Sequence, residues 1–255
     1  MEFRQEPGVC FKTILWGESY LMQCLVCGEE IERDKSWDHI QAVHLKPIGL
    51  TQEQVFEHAR KTAHPIALKT ASVTCINLKK KIIYFSFDNA ELLIAFAYQH
   101  GNIPWMEVVE WQILHEVGHI KCKDQFEPPR ACSAHVLASA EDYYINRHLI
   151  PEKYWRVCIA NARCSTVIRN VSPMPYDLRN GYYYSTLATF LAYDAVTLAD
   201  FGFLQPTEVR FVEIISDLFR KIEEVKEIPV VANEIDGAFE QLFPPKGTSW
   251  DSWQI

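Results

Sequence analysis

The segment His115-Glu116-Val117-Gly118-His119 sets two histidines four residues apart inside a run that reads as helical, and no other feature constrains the chain as tightly. Four residues is just over one helical turn. On a helix both imidazoles therefore leave the same face and can reach one ion at the ~2.0–2.1 Å of zinc–nitrogen bonds. Glu116 projects about 100° away around the axis, where it can hold a water beside the ion instead of joining the ligand pair. Asn102 and Pro104 are read as opening this helix, and Val109, Ile113, Val117 and Ile120 recur at helical spacing, an apolar stripe that would bury it and fix the ligands.

Burying such a helix takes a sizeable core, and 255 residues at 48% apolar and 23% charged supply one for a single domain with at most a small appendage. Disorder and fibrous structure are excluded. The longest uninterrupted apolar run, Leu92 to Tyr98, is far short of the roughly 18 residues of a membrane helix. The amino end (MEFRQEPG) carries acids where a secretory signal has bases, so a cytoplasmic protein without a membrane partner is expected. A net charge of −8 disfavours binding of nucleic acid by bulk electrostatics. Eight cysteines are too sparse for a disulfide scaffold. Cys10, Cys75, Cys122, Cys132, Cys158 and Cys164 lack ligand spacing and read as buried reduced thiols, with a Cys122–Cys132 disulfide as the alternative.

Punctuation divides the chain early. Lys46, Pro47, Ile48 and Gly49 break it like a short linker, and Thr51 with Gln54 three residues later forms a capping box for a helix to about His64. From Ile66 to Phe87 the β-branched and aromatic content, split by Lys79, Lys80 and Lys81, predicts a two-stranded hairpin. Beyond Asp88 helices are expected over 89–99, 104–121, 131–149, 152–168, 182–200, 207–225 and 232–242, with prolines at or near the breaks.

A catalytic zinc usually takes three protein ligands and leaves one position open. Cys122 and Gln125 exclude the variant in which a later glycine and histidine follow the motif. The next helix, ACSAHVLASAEDYYINRHLIP, offers Asp142, Glu141 or His135 as the third ligand. Asp142 and Asn146 lie one turn apart on one face; with Glu141 the residue one turn on is Ile145, which has no side-chain donor or acceptor.

At this point the chain resembles the gluzincin type of zinc metallopeptidase, whose second helix supplies an acidic ligand and, four residues on, an Asp or Asn that steadies the first histidine. The segment DYYIN is similar to the second-helix signature of small zincin-like families, although an aspartate replaces the usual glutamate. The likeness spans roughly residues 80–150. It implies peptide-bond hydrolysis in which zinc polarises the scissile carbonyl and Glu116 takes the proton of the attacking water and passes it to the leaving amine. It also implies a strand edge that pairs with an extended peptide, with KIIYFSF (81–87) as the candidate. An oxyanion donor is implied as well, for which His148, Tyr143, Tyr144 and the Tyr182–Tyr184 run are available.

A second constellation, Cys24, Cys27, His39 and His44, has two residues between the thiols, eleven between the pairs and four between the histidines. This is near the spacing of the two-Cys, two-His zinc finger, one residue short in the central gap, with Ile31 or Trp37 in place of the usual core phenylalanine. Such a closed site gives folding free energy to a segment too small for its own core. Residues 20–46 carry five acids against three bases, which favours a protein contact over DNA reading. The locally basic stretch Arg147 to Arg179 is the weak nucleic-acid alternative.

The reading is an α+β fold: a mostly helical zincin-like domain (51–255) with a small sheet, and an amino-terminal segment (1–48) holding the finger (20–45). The expected function is a zinc-dependent peptidase with one catalytic and one structural Zn2+, acting on an intracellular protein or peptide. The alternative is a non-catalytic zinc-binding regulatory or interaction protein.

Overall fold

The computed structural model describes residues 48–123, 134–171 and 181–242, together with 11–16, 19–24, 27, 29–32, 35–39, 42–43, 125 and 179. The fold is α+β and mostly helical. A first antiparallel sheet joins β1 (Phe11–Trp16), β2 (Ser19–Cys24) and β3 (Glu30–Glu32), followed by the short helix α1 (Ser36–His39).

Thr51 caps α2 (Gln52–Ala63) as its spacing predicts: Gln54 N–H donates to the Thr51 hydroxyl at 3.2 Å, and Thr51 N–H to the Gln54 side chain at 2.9 Å. A second sheet follows, made of β4 (Ala67–Thr70), β5 (Cys75–Asn77) and β6 (Ile82–Phe85). The expected hairpin is β5–β6, turning through Lys79–Lys81, but a third strand joins it: β4 runs parallel to β6 on the other side. β6 is therefore the central strand, with Ile83 and Phe85 buried, and both of its edges are taken. The outer strands are β4, which packs against α2, and β5, which packs against the helix of the HEVGH segment. This corrects the assignment of 81–87 as the peptide-pairing strand. A parallel partner fifteen residues upstream leaves no local signal for sequence to show.

Helix α3 (Phe87–Gly101) ends at Asn102, which adopts a left-handed conformation (φ 48°) that asparagine tolerates. Asn102 thus closes α3 and does not open the next helix. That helix, α4 (Trp105–Lys123), carries the motif and packs on α2, α3, β5 and the elements that follow. The expected stripe is only half of its burial. Val109 and Ile113 are enclosed, but so are Glu116 and Gln112 beside them and Val108 and Trp111 further round the helix, which marks a central helix. His58 and Glu110 meet at 3.1 Å, and the Tyr154 hydroxyl donates to Glu110 at 2.5 Å, tying α2 and α4 to the turn after Pro151.

Helix α5 (Ala134–Tyr144) continues into a wider, π-helical turn over Ile145–Leu149, closed by Ile150 N–H donating to Ile145 C=O at 3.0 Å. Helices α6 (Trp155–Val171), α7 (Gly181–Ala192), α8 (Pro206–Phe219) and α9 (Ile228–Leu242) complete the described fold. The expected 182–200 helix stops early because Asp194 turns left-handed (φ 55°) and Thr197 caps a new short turn through Asp200. The expected 207–225 helix ends at Phe219, and the last helix begins earlier than 232, with Pro229 in its first turn, where a missing N–H costs nothing. No helix among the described residues is long and apolar enough to cross a membrane.

Gly118 marks the closest approach of α4 to the π-helical turn: a Cβ there would lie 2.4 Å from Ile145 Cγ2, and Ile145 is fully buried. Gly118→Ala should therefore push the turn away and cost about 1–3 kcal/mol. Thermal unfolding of the metal-free protein reads this as a lowered Tm; an unchanged Tm would show that the turn gives way freely.

Candidate metal centre

His115 and His119 leave α4 on one face, as the helical spacing requires, and α5 presents Asp142 to both. One oxygen, Asp142 Oδ1, lies 3.2 Å from His115 Nε2 and 3.3 Å from His119 Nε2, so three ligating atoms converge within 4.8 Å of one another. Glu141 takes a different place. Its Oε1 lies 3.2 Å from the opposite ring nitrogen, Nδ1 of His119. Of the three candidates for the third position, Asp142 is the one between the imidazoles, Glu141 backs His119, and His135 packs against the ring of Tyr182 at 5.5 Å.

Asn146 meets His115 as the one-turn spacing from Asp142 suggests, with its Oδ1 3.2 Å from His115 Nδ1. The indole of Trp111, which can only donate, gives its N–H to the same oxygen at 3.2 Å and so fixes which end of the amide is oxygen. The amide nitrogen donates to the Tyr193 hydroxyl at 3.0 Å, and that hydroxyl donates to the Asp142 carbonyl at 3.3 Å. This network ties α4, α5 and the end of α7 around one histidine. Trp111 has a sequence signal, lying four residues before His115 on the same face. Tyr193 has none, because nothing local links it to residues fifty positions earlier.

With both Nδ1 atoms facing oxygen acceptors, each Nδ1 carries a proton, and the neutral form of each ring turns a lone pair toward Asp142. Two lone pairs and a carboxylate oxygen at 3.2–3.3 Å require positive charge between them, which either protons or a metal cation supplies. The electrostatics of the cluster agree. Burial presses His119 downward, but the hydrogen bonds and charges of Asp142 and Glu141 overcome it and raise the pKa to about 10. His115 is raised in the same way against its own burial. Asp142 falls well below the carboxylate range: burial opposes the shift, and hydrogen bonds to both imidazoles outweigh it. The donor set of two imidazoles and one carboxylate is compatible with zinc.

Glu116 is 7% exposed and lines a cavity of about 310 Å³ next to His115. Burial raises its pKa, the two imidazoles pull it down, and Asp142 adds to the rise. Burial, the first of these causes, therefore favours the protonated carboxyl. Most of the hydroxyl and imidazole groups suggested as oxyanion donors are used elsewhere. His148 Nε2 donates to the Ile222 carbonyl at 2.9 Å and its ring stacks on Tyr144; Tyr143 is buried against Tyr193 and Phe219, and the Tyr184 hydroxyl donates to Glu208 at 2.6 Å. Tyr182 is 44% exposed, and burial of its hydroxyl followed by the charge of Asp142 raises its pKa.

In the amino-terminal sheet, Cys24 ends β2, Cys27 lies in the turn and His39 closes α1, with their ligating atoms within 4.8 Å of one another. Cys27 Sγ is 3.4 Å from His39 Nε2, and Cys24 N–H donates to Glu29 C=O at 2.8 Å, folding the turn around the thiols. Ile31 on β3 is buried. His44 and the Trp37 side chain lie outside the described residues. Of the other cysteines, Cys122, Cys158 and Cys164 are buried free thiols as expected, whereas Cys75 is exposed on β5; Cys10 and Cys132 lie outside the described residues, and with them the Cys122–Cys132 pair. The locally basic stretch is used within the fold: Arg156 forks onto Glu107 at 2.6–3.0 Å, Arg163 donates to Ala195 C=O, and Arg179 pairs with buried Glu208 at 2.8 Å.

Asn146→Leu should leave the ligands in place yet weaken metal binding about 10- to 100-fold, the usual cost of losing a partner behind a liganding histidine. Competition with a zinc-binding dye measures it; parent-like affinity would free Asn146 of this role.

No known family, characterised protein or solved structure matches the chain.

Proposed function

We propose that the chain is a zinc-dependent metallopeptidase in which His115, His119 and Asp142 hold the catalytic ion and Glu116 is the general base. The observation that carries this reading is the convergence of two imidazole nitrogens and one carboxylate oxygen beside a buried glutamate that opens onto a cavity. Zinc held there would polarise a scissile carbonyl and lower the pKa of water toward about 7. Glu116 takes the proton of the attacking water and returns it to the leaving amine. Asn146 and Glu141 hold the two rings so that each Nε2 faces inward. The free edge of β5, near enough to Glu116 for that charge to raise the Cys75 thiol after burial does, is where an extended peptide backbone would pair. Tyr182 is the hydroxyl best suited to donate to the carbonyl oxygen as charge builds on it.

In the same proposal Cys24, Cys27 and His39, with His44 as the fourth ligand, hold a structural zinc in the amino-terminal segment (1–48), apart from the catalytic domain (51–255). A closed site of this kind serves folding and protein contact, not chemistry. A non-catalytic zinc-binding regulator is the second reading, and it draws on the engagement of His148, Tyr143 and Tyr184 elsewhere in the fold.

The test is a peptide library incubated with zinc-loaded protein. Cleavage should stop when a mild chelator withdraws one of two bound zinc equivalents and return when zinc is restored. A fully zinc-loaded, folded protein that cuts nothing in the library would favour the regulator.

A further inference from the structure

We propose that Arg169 anchors a carboxylate of the substrate, either the free carboxyl terminus of a peptide or the side chain of an aspartate or glutamate; this rests on the peptidase reading above. The observation behind it is a partly buried guanidinium without an acceptor. Along the same basic stretch Arg156 is held by Glu107, Arg163 by the Ala195 carbonyl and Arg179 by Glu208. Arg147 lies over Trp155 and is exposed to water. Arg169 differs from all of them. It is only partly exposed, and among the described residues neither an ion pair nor a hydrogen bond reaches it.

Two rings touch it instead. The guanidinium carbon lies 5.7 Å from the centre of the Tyr183 ring and 5.6 Å from that of Phe190, both buried on α7. Ring faces take up part of the charge, but the N–H donors point outward in the guanidinium plane, where a ring offers no acceptor. A buried cation without an anion is costly, and burial presses its pKa below the usual arginine range.

The position points to the substrate. Helix α6 lines the cavity beside Glu116 with Asn161, Ser165 and Ile168, and Arg169 follows Ser165 by one turn on the same face. Tyr182, on α7, neighbours both ends of the arrangement: its phenol feels the charge of Asp142 and that of Arg169. Arg169 makes no ion pair with Asp142, which it leaves to the imidazoles. A short peptide whose carbonyl sits at the zinc ligands could therefore reach the guanidinium as well.

A carboxylate is the group that fits there. Its two oxygens match the fork of N–H donors, whereas an ammonium would repel the cation and a neutral amide would leave its charge uncompensated. Every peptide carries one such group at its carboxyl end, and aspartate and glutamate carry another.

The experiment uses the full zinc-loaded chain and two sets of matched peptides. In one set the carboxyl terminus is a free acid or an amide; in the other the terminus is amidated and a single Glu or Gln is stepped along the sequence. The acid should exceed its amide in kcat/KM by about 10- to 100-fold in one set, as expected for a charge-assisted pair, and the set that responds identifies the source of the carboxylate. Arg169→Met keeps the stem against the rings and should bring the ratio toward one at unchanged zinc content; Arg169→Lys keeps the charge and should retain part of it. Parity of acid and amide in both sets, or a ratio that Arg169→Met leaves intact, overturns the proposal. An arginine serving only the packing of α6 on α7 would lower the Tm of Arg169→Met without moving the ratio. Calorimetric titration with the same peptides separates this failure from that of the peptidase reading. Tighter binding of acids that Arg169→Met abolishes, with no peptide cut, keeps the anchor and removes the peptidase; cleavage indifferent to every carboxylate keeps the peptidase and removes the anchor.

Discussion

Glu116→Gln should retain both zinc equivalents and lose ~100- to ~10,000-fold in kcat/KM on any peptide the parent cleaves, because positioned proton transfer typically contributes that much. The substitution keeps the shape and hydrogen-bond reach of the side chain and removes only its capacity to take a proton near neutral pH. Glu116 is buried and its carboxyl is disposed toward protonation by that burial, so the neutral amide brings no new charge into the cleft. The Tm should stay within about two degrees of the parent, as for other near-isosteric changes. Equal cleavage by parent and variant would remove Glu116 from the mechanism, and loss of zinc along with activity would make it a ligand and not a base.

Asp142→Ala should bind one zinc equivalent fewer than the parent, whereas Glu141→Ala should keep the metal and weaken it about 10- to 100-fold. The two acids are neighbours in sequence but contact opposite nitrogens of His119, one facing the convergence point and the other behind the ring. Protons compete with the metal for that ring. Its pKa of about 10 means that lowering the pH fills the nitrogen with a proton and raising the pH frees it, so zinc affinity should climb between about pH 6 and about pH 9. Inductively coupled plasma mass spectrometry of each variant gives the stoichiometry. Metal lost from Glu141→Ala and kept in Asp142→Ala would exchange their roles.

Much of the centre was legible because its parts are local. His115, Glu116 and His119 need only a helix to share a face, and Asp142 with Asn146 need only one turn of the next helix. Glu141 was weighed only as a rival ligand, since adjacent helical residues diverge by about 100°; its longer side chain reaches round to the far nitrogen instead. Tyr193 and the β4–β6 pairing depend on contacts between distant segments, and such contacts carry no period or motif. The early end of the 182–200 helix was missed for a different reason: Asp194 in a left-handed turn interrupts a run whose composition stays helix-compatible.

The link from His115 through Asn146 and Tyr193 to the Asp142 carbonyl means that α4, α5 and the end of α7 must all be docked before the site is complete. An unfolded chain offers scattered histidines and carboxylates with no shared geometry, so an ion bound there as proposed would discriminate strongly between the two states. Folding and metal uptake would then be one coupled equilibrium. Free zinc at a hundred times its dissociation constant would deepen the native well by about 2.7 kcal/mol, which makes the cell's zinc supply a determinant of how much folded protein it keeps.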